Sequence, residues 1–297
     1  MNSHHFYKTF ALFGIASASA MSQDTWKFNA ALTHMEGRYK DALTMRDQHG
    51  LGFKFNGLYN DKWGLTAGLQ TTHIYASQPF PETHQDNWLL SGYIHVPSEF
   101  MPGRWTLQID AHEIYNDAKQ GNSGGVRVLA PQVTWLSSTR PLKFDASYAS
   151  SSYRDVPTIH QLATGIGLGF NNHRNWLQIR GQAINQLNPA HAMGYTSTYS
   201  SEIKLTQFLS QKISLTPTSI TAGLERGKKI YNVDMLTQTV YNLPMLNEGG
   251  ENIAVHWKLS NDSDFIMYAS RTKYASSLPV DHQFRLNTLS AQLKTSW

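Results

Sequence analysis

The fragment of this sequence best suited to catalysis is Asp110-Ala111-His112, with Glu113 directly after it. Residues at positions i and i+2 of an extended strand point to the same face, so the carboxylate could orient the imidazole. An imidazole held in this way can activate a water molecule for hydrolysis. The sequence therefore offers one candidate hydrolytic pair, and its use depends on where the surrounding strand places it.

Composition excludes most other catalytic and metal chemistry. The chain contains no cysteine, which removes disulfides, zinc–thiolate sites and thiol nucleophiles. Its histidines are scattered, and none has the spacing of a metal-binding pair. The formal charge is +4 and the basic residues occur singly, so nothing indicates a nucleic-acid surface. We expect no metal, no cofactor and no enzymatic activity.

A glycine run at Gly165, Gly167 and Gly169 could be mistaken for a phosphate-binding loop. No helix pattern follows it, and a phosphate cradle needs a helix N-terminus behind the loop. We predict instead that these glycines leave room for large neighbouring side chains.

The elements that carry these residues have the two-residue period of β-strands. In residues 105–112, apolar Trp, Leu, Ile and Ala alternate with polar side chains. From Trp26 onward, such segments are joined alternately by short polar turns and longer loops. About fourteen strands can be counted, which predicts an all-β fold in one domain, residues 21–297. The mean hydropathy of −0.41 excludes a membrane protein built from several helices.

Residues 1–20 have the organisation of a secretory signal peptide. Lys8 precedes a short apolar run, residues 10–16, and small residues follow up to Ala20. The apolar run is shorter than the roughly 20 residues that a transmembrane helix needs. We predict cleavage after Ala20 and export of the mature chain.

The last ten residues, Thr288–Trp297, alternate with particular regularity. Leu289, Ala291, Leu293 and Trp297 share one face, and polar residues occupy the other. This segment resembles the closing strand of bacterial outer-membrane barrels, which ends in an aromatic residue. The chain is accordingly similar to the porin-like β-barrel superfamily of the Gram-negative outer membrane.

This resemblance implies a single transmembrane antiparallel up-and-down β-barrel of about 14 strands in the cell outer membrane, closed by pairing of the first and last strands. It also implies contact with outer-membrane lipid and lipopolysaccharide. The barrel-assembly machinery would recognise the last strand. A soluble β-sandwich is the alternative fold, since it shows similar alternation and turns.

Tryptophans provide a separate indication of orientation. Seven of them, Trp176 included, fall at the strand ends that would face the periplasm, and six of these would form a membrane-interface girdle. These six are Trp26, Trp63, Trp105, Trp135, Trp257 and Trp297. Trp88 falls at the opposite end. Trp176 lies on the opposite strand face from Leu177, so we expect it either in the lumen or in a turn.

In such a barrel, the polar strand faces line the lumen. The predicted pore-lining residues are Lys54, Gln108, Asp110, His112, Asp145, Gln178, Arg180, Gln182, Glu202, Lys204, Glu225, His256 and Lys258. Arg180 and Glu202 are candidates for an ion pair across the lumen. About fourteen strands imply a lumen wide enough for water and a small solute.

The longest predicted loop, residues 226–251, is unusually apolar. It combines Lys228 and Lys229 with a run of Ile, Tyr, Val, Met and Leu residues. Such a loop is unsuited to lie open in water. Three placements stay open: folding into the lumen as a constriction, extension of the hairpin beyond the membrane, or binding of a partner.

The polar lumen favours a narrow pore for diffusion or specific passage of small solutes. The alternative is a non-conducting barrel that serves as a structural, assembly or surface-polymer export partner, which a lumen blocked by its own charge pairs would favour. A barrel hydrolase is a third possibility, because a D-x-H pair also occurs in the omptin family of outer-membrane aspartyl proteases. That similarity is limited to Asp110 and His112, and the paired luminal carboxylates of that family have no counterpart here.

Overall fold

The computed structural model describes most of the chain beyond its N-terminal segment. The described residues are 25–98, 100–117, 125–153, 156–190, 192–210, 216–276 and 283–297. The predicted signal peptide, residues 1–20, lies outside them. Within the described residues, no helix is long and apolar enough to cross a membrane.

The fold is a closed antiparallel barrel of fourteen strands, as the sequence predicted. A separate two-stranded sheet is formed by β12 and β13. The strands are β1 (Trp26–Lys40), β2 (Met45–Tyr59), β3 (Trp63–Ala76), β4 (Thr83–Ser98), β5 (Gly103–Asn116), β6 (Val126–Ser137), β7 (Leu142–Tyr153), β8 (Val156–Phe170), β9 (Asn175–Asn185), β10 (Ser197–Phe208), β11 (Ser219–Lys229), β12 (Val233–Asp234), β13 (Thr239–Val240), β14 (Met245–Lys258), β15 (Ser263–Ser276) and β16 (Gln283–Ser296).

Barrel closure joins the first strand to the last, also as predicted. β1 and β16 are antiparallel, with Asn29 opposite Ser296 and Lys40 opposite Arg285. The Phe28 amide donates to the Trp297 carbonyl at 2.9 Å, and the Trp297 amide donates back to Phe28 at 3.0 Å. The ladder therefore continues around the whole ring and leaves no unpaired edge.

The two ends of the barrel differ. One end, which we call the turn end, carries Trp26, Trp297 and short connections such as the one between β2 and β3. Asn60 and Asp61 make that turn with φ of 49° and 53°, a left-handed conformation that these two residue types tolerate best after glycine. The opposite end, the loop end, carries the long connection between β11 and β14.

Several strands are longer than the sequence pattern indicated. β1 continues to Lys40 and β2 begins at Met45, so only residues 41–44 lie between the two strands. The outward side chains here are polar, for example Glu36 and Arg38, so the hairpin continues past the apolar part of the surface. Backbone pairing does not depend on lipid contact, and the ladder therefore extends beyond the alternation that identified the strands.

The outward strand faces form an apolar belt. Large hydrophobic side chains are exposed on it around the ring, at 37 to 62 % of their full accessibility. Representatives from successive strands are Leu32, Phe53, Leu65, Leu90, Ile109, Leu129, Phe144, Leu162, Ile179, Ile203, Leu224, Ile253, Met267 and Leu293. A continuous belt of this kind is unfavourable in water and suits a bilayer.

The six tryptophans predicted at the membrane interface all lie at the turn end, on the outward side of their strands. Trp26 packs edge-on against Trp63 with ring centroids 5.1 Å apart, and Phe28 lies 6.3 Å from Trp297. Trp135 differs in being buried: its ring stacks on Phe144 at 5.8 Å, and its indole N–H donates to the Met101 carbonyl at 3.3 Å.

Trp176 points into the lumen, which was one of its two expected positions. Its ring lies against Gly167, where an added Cβ would come within 2.6 Å of the indole. The glycine run of β8 thus makes room for a large neighbour, as the sequence predicted.

Candidate functional site in the barrel lumen

The strand register places the predicted pore-lining residues on the inward face of the barrel. Those on β2 to β9 are Lys54, Gln108, Asp110, His112, Asp145, Gln178, Arg180 and Gln182. Those on β10 to β14 are Glu202, Lys204, Glu225, His256 and Lys258. They do not form one cluster, since His256 and Lys258 lie near the turn end and His112 lies towards the loop end. Their surroundings depend on what else enters the lumen.

Residues 230–244, which we call the inserted loop, fold into the lumen and settle the choice among the three placements. Gln161 on β8 binds the loop at both polar atoms of its amide. It accepts from the Val233 amide at 2.9 Å and donates to the Val233 carbonyl at 2.6 Å. Lys54 on β2 donates to the Thr237 carbonyl at 2.5 Å from another part of the wall. The loop therefore spans the lumen between β2 and β8.

Apolar packing holds the inserted loop more strongly than these polar contacts. Val233, Met235 and Val240 are at most 5 % exposed. They pack with inward apolar residues of β5 to β9, among them Val128 and Ile184. Full burial of each such side chain contributes about 1.5–3 kcal/mol. The loop thus fills the part of the lumen next to these strands with a dry core.

A second apolar cluster fixes the outgoing end of the inserted loop. Tyr39, Tyr274 and Phe284 are buried side by side on β1, β15 and β16. Leu243 and Met245 pack against them. The inserted loop is therefore attached to opposite walls of the barrel at its two ends.

A cavity of about 440 Å³ remains between the inserted loop and the other walls. Its polar lining is made mainly of amides and hydroxyls: Thr33, Gln48, Gln70, Thr72, Gln85, Asn252, Ser270, Thr272, Thr288, Ser290 and Gln292. This is the size range of sites that hold small molecules. Beneath the loop, a second void of about 10 Å³ touches Asp145, Arg180 and Lys204, enough for about one water molecule.

The charged side chains of the lumen bind one another. Arg180 pairs with Asp145 at 2.9 Å and donates to Ser147 at 3.0 Å. The sequence suggested Glu202 as its partner across the lumen. Glu202 is instead its neighbour on the adjacent strand and pairs with Lys204 at 2.8 Å. A pair formed along the wall leaves the lumen open, whereas a pair across it would obstruct passage.

The inserted loop adds one carboxylate, Asp234, to this set. Burial raises the pKa of Asp234, but Lys204, Lys229 and Arg180 lower it more, so the net pKa lies below its usual value. Lys229 also pairs with Glu225 at 2.5 Å. Asp234 therefore stays ionised at neutral pH and offsets the lysines of the wall.

The Asp110–His112 pair lies under the inserted loop. Asp110 is fully buried and accepts from Gln108 at 2.9 Å and from Gln238 of the loop at 3.1 Å. His112 is 3 % exposed, with Nδ1 3.4 Å from Oδ1 of the Asn87 side chain. The carboxylate thus binds amides on the wall and on the loop. Among the described residues, no group of three or more His, Asp or Glu side chains could hold a metal ion.

Gln161 is the functional residue that the sequence did not single out. It lies on the same inward strand face as Gly165 and Gly167, so its odd position in β8 was the one sequence feature that could have placed it in the lumen. Its partner Val233 lies 72 residues away in the chain. Strand alternation carries no information on such a contact.

Comparison with known proteins places the barrel among solved channel structures. No protein-family model and no curated protein matches the chain. The channel CymD, described as a monoaromatic hydrocarbon channel, superposes with a TM-score of 0.58 at 8 % identity, covering 93 % of this chain and 89 % of that chain. A deletion mutant of the channel TodX gives a TM-score of 0.55 at 9 % identity, covering 93 % and 91 %.

The toluene transporter TodX of Pseudomonas putida gives a TM-score of 0.53 at 8 % identity, covering 93 % of this chain and 90 % of that chain. At these identities the likeness establishes the fold. The chain therefore has the fold of these channel and transporter structures.

Proposed function

We propose that this protein is an outer-membrane channel that passes small solutes through the part of its lumen left open by the inserted loop. The observation that carries the proposal is the cavity of about 440 Å³ between the inserted loop and a polar wall. The solved structures of similar fold are described as channels, which supports it. In this arrangement, the inserted loop sets the width of the path.

The paired charges of the lumen support passage with little preference for anions or cations. Arg180, Lys204 and Lys229 each bind a carboxylate, so the field in the lumen is mixed rather than of one sign. The amides and hydroxyls of the cavity would then make the main contacts with a solute. We expect a potassium-to-chloride permeability ratio within about threefold of one.

Single-channel recording of the refolded protein in planar bilayers tests the proposal. The test variant lacks most of the inserted loop, because two glycines replace residues 233–240. The glycines can close this gap, since the Tyr241 N–H already donates to the Asn232 carbonyl at 2.8 Å. We expect the wild type to conduct and this variant to conduct more. If the folded wild-type barrel does not conduct, the proposal that it is a channel is wrong.

The same recording decides between the channel and a non-conducting barrel that serves as a structural, assembly or export partner. The observation favouring this second function is the dry apolar core beside β5 to β9, which closes one part of the lumen. A folded barrel that is silent both with and without the inserted loop would support it.

We also propose that Asp110 and His112 serve structure rather than hydrolysis. The Asp110 carboxylate already accepts two amide donors, one of them Gln238 of the inserted loop. Replacement of His112 by Ala is expected to leave the conductance within the wild-type range. A peptide or ester hydrolase activity that disappears in this variant would contradict the assignment.

The orientation that fits this function puts the turn end in the periplasm and the loop end outside, with the tryptophans at the inner interface. We propose that the barrel-assembly machinery recognises β16 through Trp297, whose backbone closes the ring on Phe28. Deletion of Trp297 should reduce the amount of protein in the outer membrane. A Trp88→Ala variant serves as the control, and equal amounts of both would contradict this role.

A further inference from the structure

The outward surface at the loop end carries a dense group of cations on β1, β15 and β16. In one row, Lys40 is opposite Arg285, and Arg285 is opposite Lys273. In the next row towards the membrane, Arg38 and Arg271 flank Asn287. Since paired strands lie about 4.8 Å apart, the five cations fall in an area roughly 10 Å wide and 7 Å high. We call these five residues the cationic patch.

In the part of the chain that the structure describes, no carboxylate is bound to the cationic patch. Among the described residues, none of its five cations forms an ion pair within 4.0 Å. Glu251 is opposite Arg271, and Asp47 is opposite Arg38 and paired with Arg46 at 3.1 Å. Asp41 follows Lys40 in the chain, and Glu36, one row below Arg38, is bound to His34 and His49 at 2.8 and 2.6 Å. Like charges opposite each other on paired strands repel. An arrangement that brings three cations side by side thus favours an anionic ligand.

On β14 to β16 the surface below the cationic patch is apolar, whereas on β1 the carboxylate Glu36 lies below Arg38. Leu289 on β16 is 50 % exposed and Ile253 on β14 is 47 % exposed, in the row directly beneath Asn287, Arg271 and Glu251. Positive charge therefore lies immediately above aliphatic surface. A ligand that fits both has phosphate groups joined to acyl chains, with the phosphates at the depth of Arg38 and Arg271.

The inward side of the same strands holds the cationic patch in place. Tyr39, Tyr274 and Phe284 alternate with its cations along β1, β15 and β16, and they are buried together. The Tyr274 and Phe284 rings stack at 5.6 Å, and Tyr39 lies 5.9 Å from Phe284. The three strands thus form a fixed surface, which lowers the entropic cost of binding.

We propose that the cationic patch is a binding site for the phosphate groups of lipopolysaccharide in the outer leaflet. The proposal rests on the orientation given above, with the loop end outside, and it does not depend on conductance. The proposal places the bound glycolipid on the side of the barrel formed by β15, β16 and β1.

Titration of the purified barrel in detergent with lipid A, followed by native mass spectrometry, tests this site. The variant Lys40→Ser/Lys273→Ser/Arg285→Ser removes the outer row. We expect it to bind diphosphorylated lipid A roughly 100-fold more weakly than the wild type. The matched control is Lys62→Ser/Arg140→Ser/Arg174→Ser, which removes three exposed cations at the turn end and should bind as the wild type does.

Two wild-type measurements keep the test valid if the triple variant folds poorly. Affinity should fall as salt is raised, because exposed charges are screened over about 10 Å at 0.1 M. Dephosphorylated lipid A should bind more weakly than the diphosphorylated form. The proposal would be overturned if both forms of lipid A bound equally, or if the control variant lost as much lipid A affinity as the triple variant. It would also be overturned if inorganic pyrophosphate displaced lipid A at equal concentration. Conductance of the triple variant should remain that of the wild type, which separates this result from a failure of the channel.

Discussion

Replacing Gln161 by Leu should release the inserted loop more often without changing the barrel. Leu has a similar volume to Gln but cannot hydrogen-bond, so the change removes both contacts with Val233, at 2.6 and 2.9 Å. Each buried hydrogen bond contributes a net 0.5–1.5 kcal/mol, so the pair contributes about 2 kcal/mol to the attached state. The population of the detached loop should then rise about 30-fold.

The absence of cysteine from the chain makes this measurable with one introduced thiol. Met235 is 2 % exposed, and a cysteine there would react with a maleimide only when the loop detaches. The labelling rate of Met235→Cys should therefore rise about 30-fold when Gln161→Leu is added. Brief openings to higher conductance should become more frequent in the same variant.

Gln132→Leu in the same background is the matched control, because Gln132 is an inward, buried amide of β6 with no described hydrogen bond to the inserted loop. Its labelling rate should stay at the parental value. An unchanged rate in the Gln161 variant would refute the reasoning, since it would mean that apolar packing alone holds the loop. Equal increases in both variants would show a general loosening of the lumen.

Two further predictions concern the stability of the barrel wall. Asp145→Asn leaves the buried Arg180 without its carboxylate partner and should lower the free energy of unfolding in urea by about 3 kcal/mol. The substitution is isosteric, so packing is unaltered. An unchanged urea midpoint would contradict the prediction and would mean that water at Arg180 replaces the lost carboxylate contact. Gly167→Ala places a Cβ within 2.6 Å of Trp176 and should cost about 1–3 kcal/mol with a shift in tryptophan emission. Gly181→Ala, where nothing lies within 4 Å, should leave both the stability and the emission unchanged.

The barrel itself was predictable from sequence because lipid contact imposes a period of two on every strand. Alternation in residues 105–112 identified β5, and the same parity put Asp110 and His112 on the inward face. The bounds of β1 and β2 were not predictable in this way. Beyond the apolar belt, the outward side chains of these strands become polar, so the alternation that identifies a lipid-facing strand ends before the backbone pairing does.

The position of the inserted loop depends on contacts that no local pattern records. Its apolar composition showed that its side chains must be shielded from water. Folding into the lumen, extension of the hairpin and binding of a partner were all compatible with that. The contacts that hold it in the lumen join residues far apart in the chain: Gln161 is 72 residues from Val233, and Lys54 is 183 residues from Thr237. The partner of Arg180 was missed for a similar reason. Glu202 is directly opposite Arg180 on the adjacent strand, whereas Asp145 is two strands away and is reached across Gly165, which has no side chain.

Closure of β1 on β16 has a consequence for how the chain can fold. Gln292 donates to Thr33 at 2.9 Å across a sequence separation of 259 residues, so this seam can form only after nearly the whole chain has been delivered. Until then the nascent sheet exposes two strand edges, each a template for pairing with another molecule. Such long-range closure is slow, and the partly formed sheet is prone to aggregate. Protection of these free edges before closure should therefore limit the yield of folded protein more than the stability of the finished ring does.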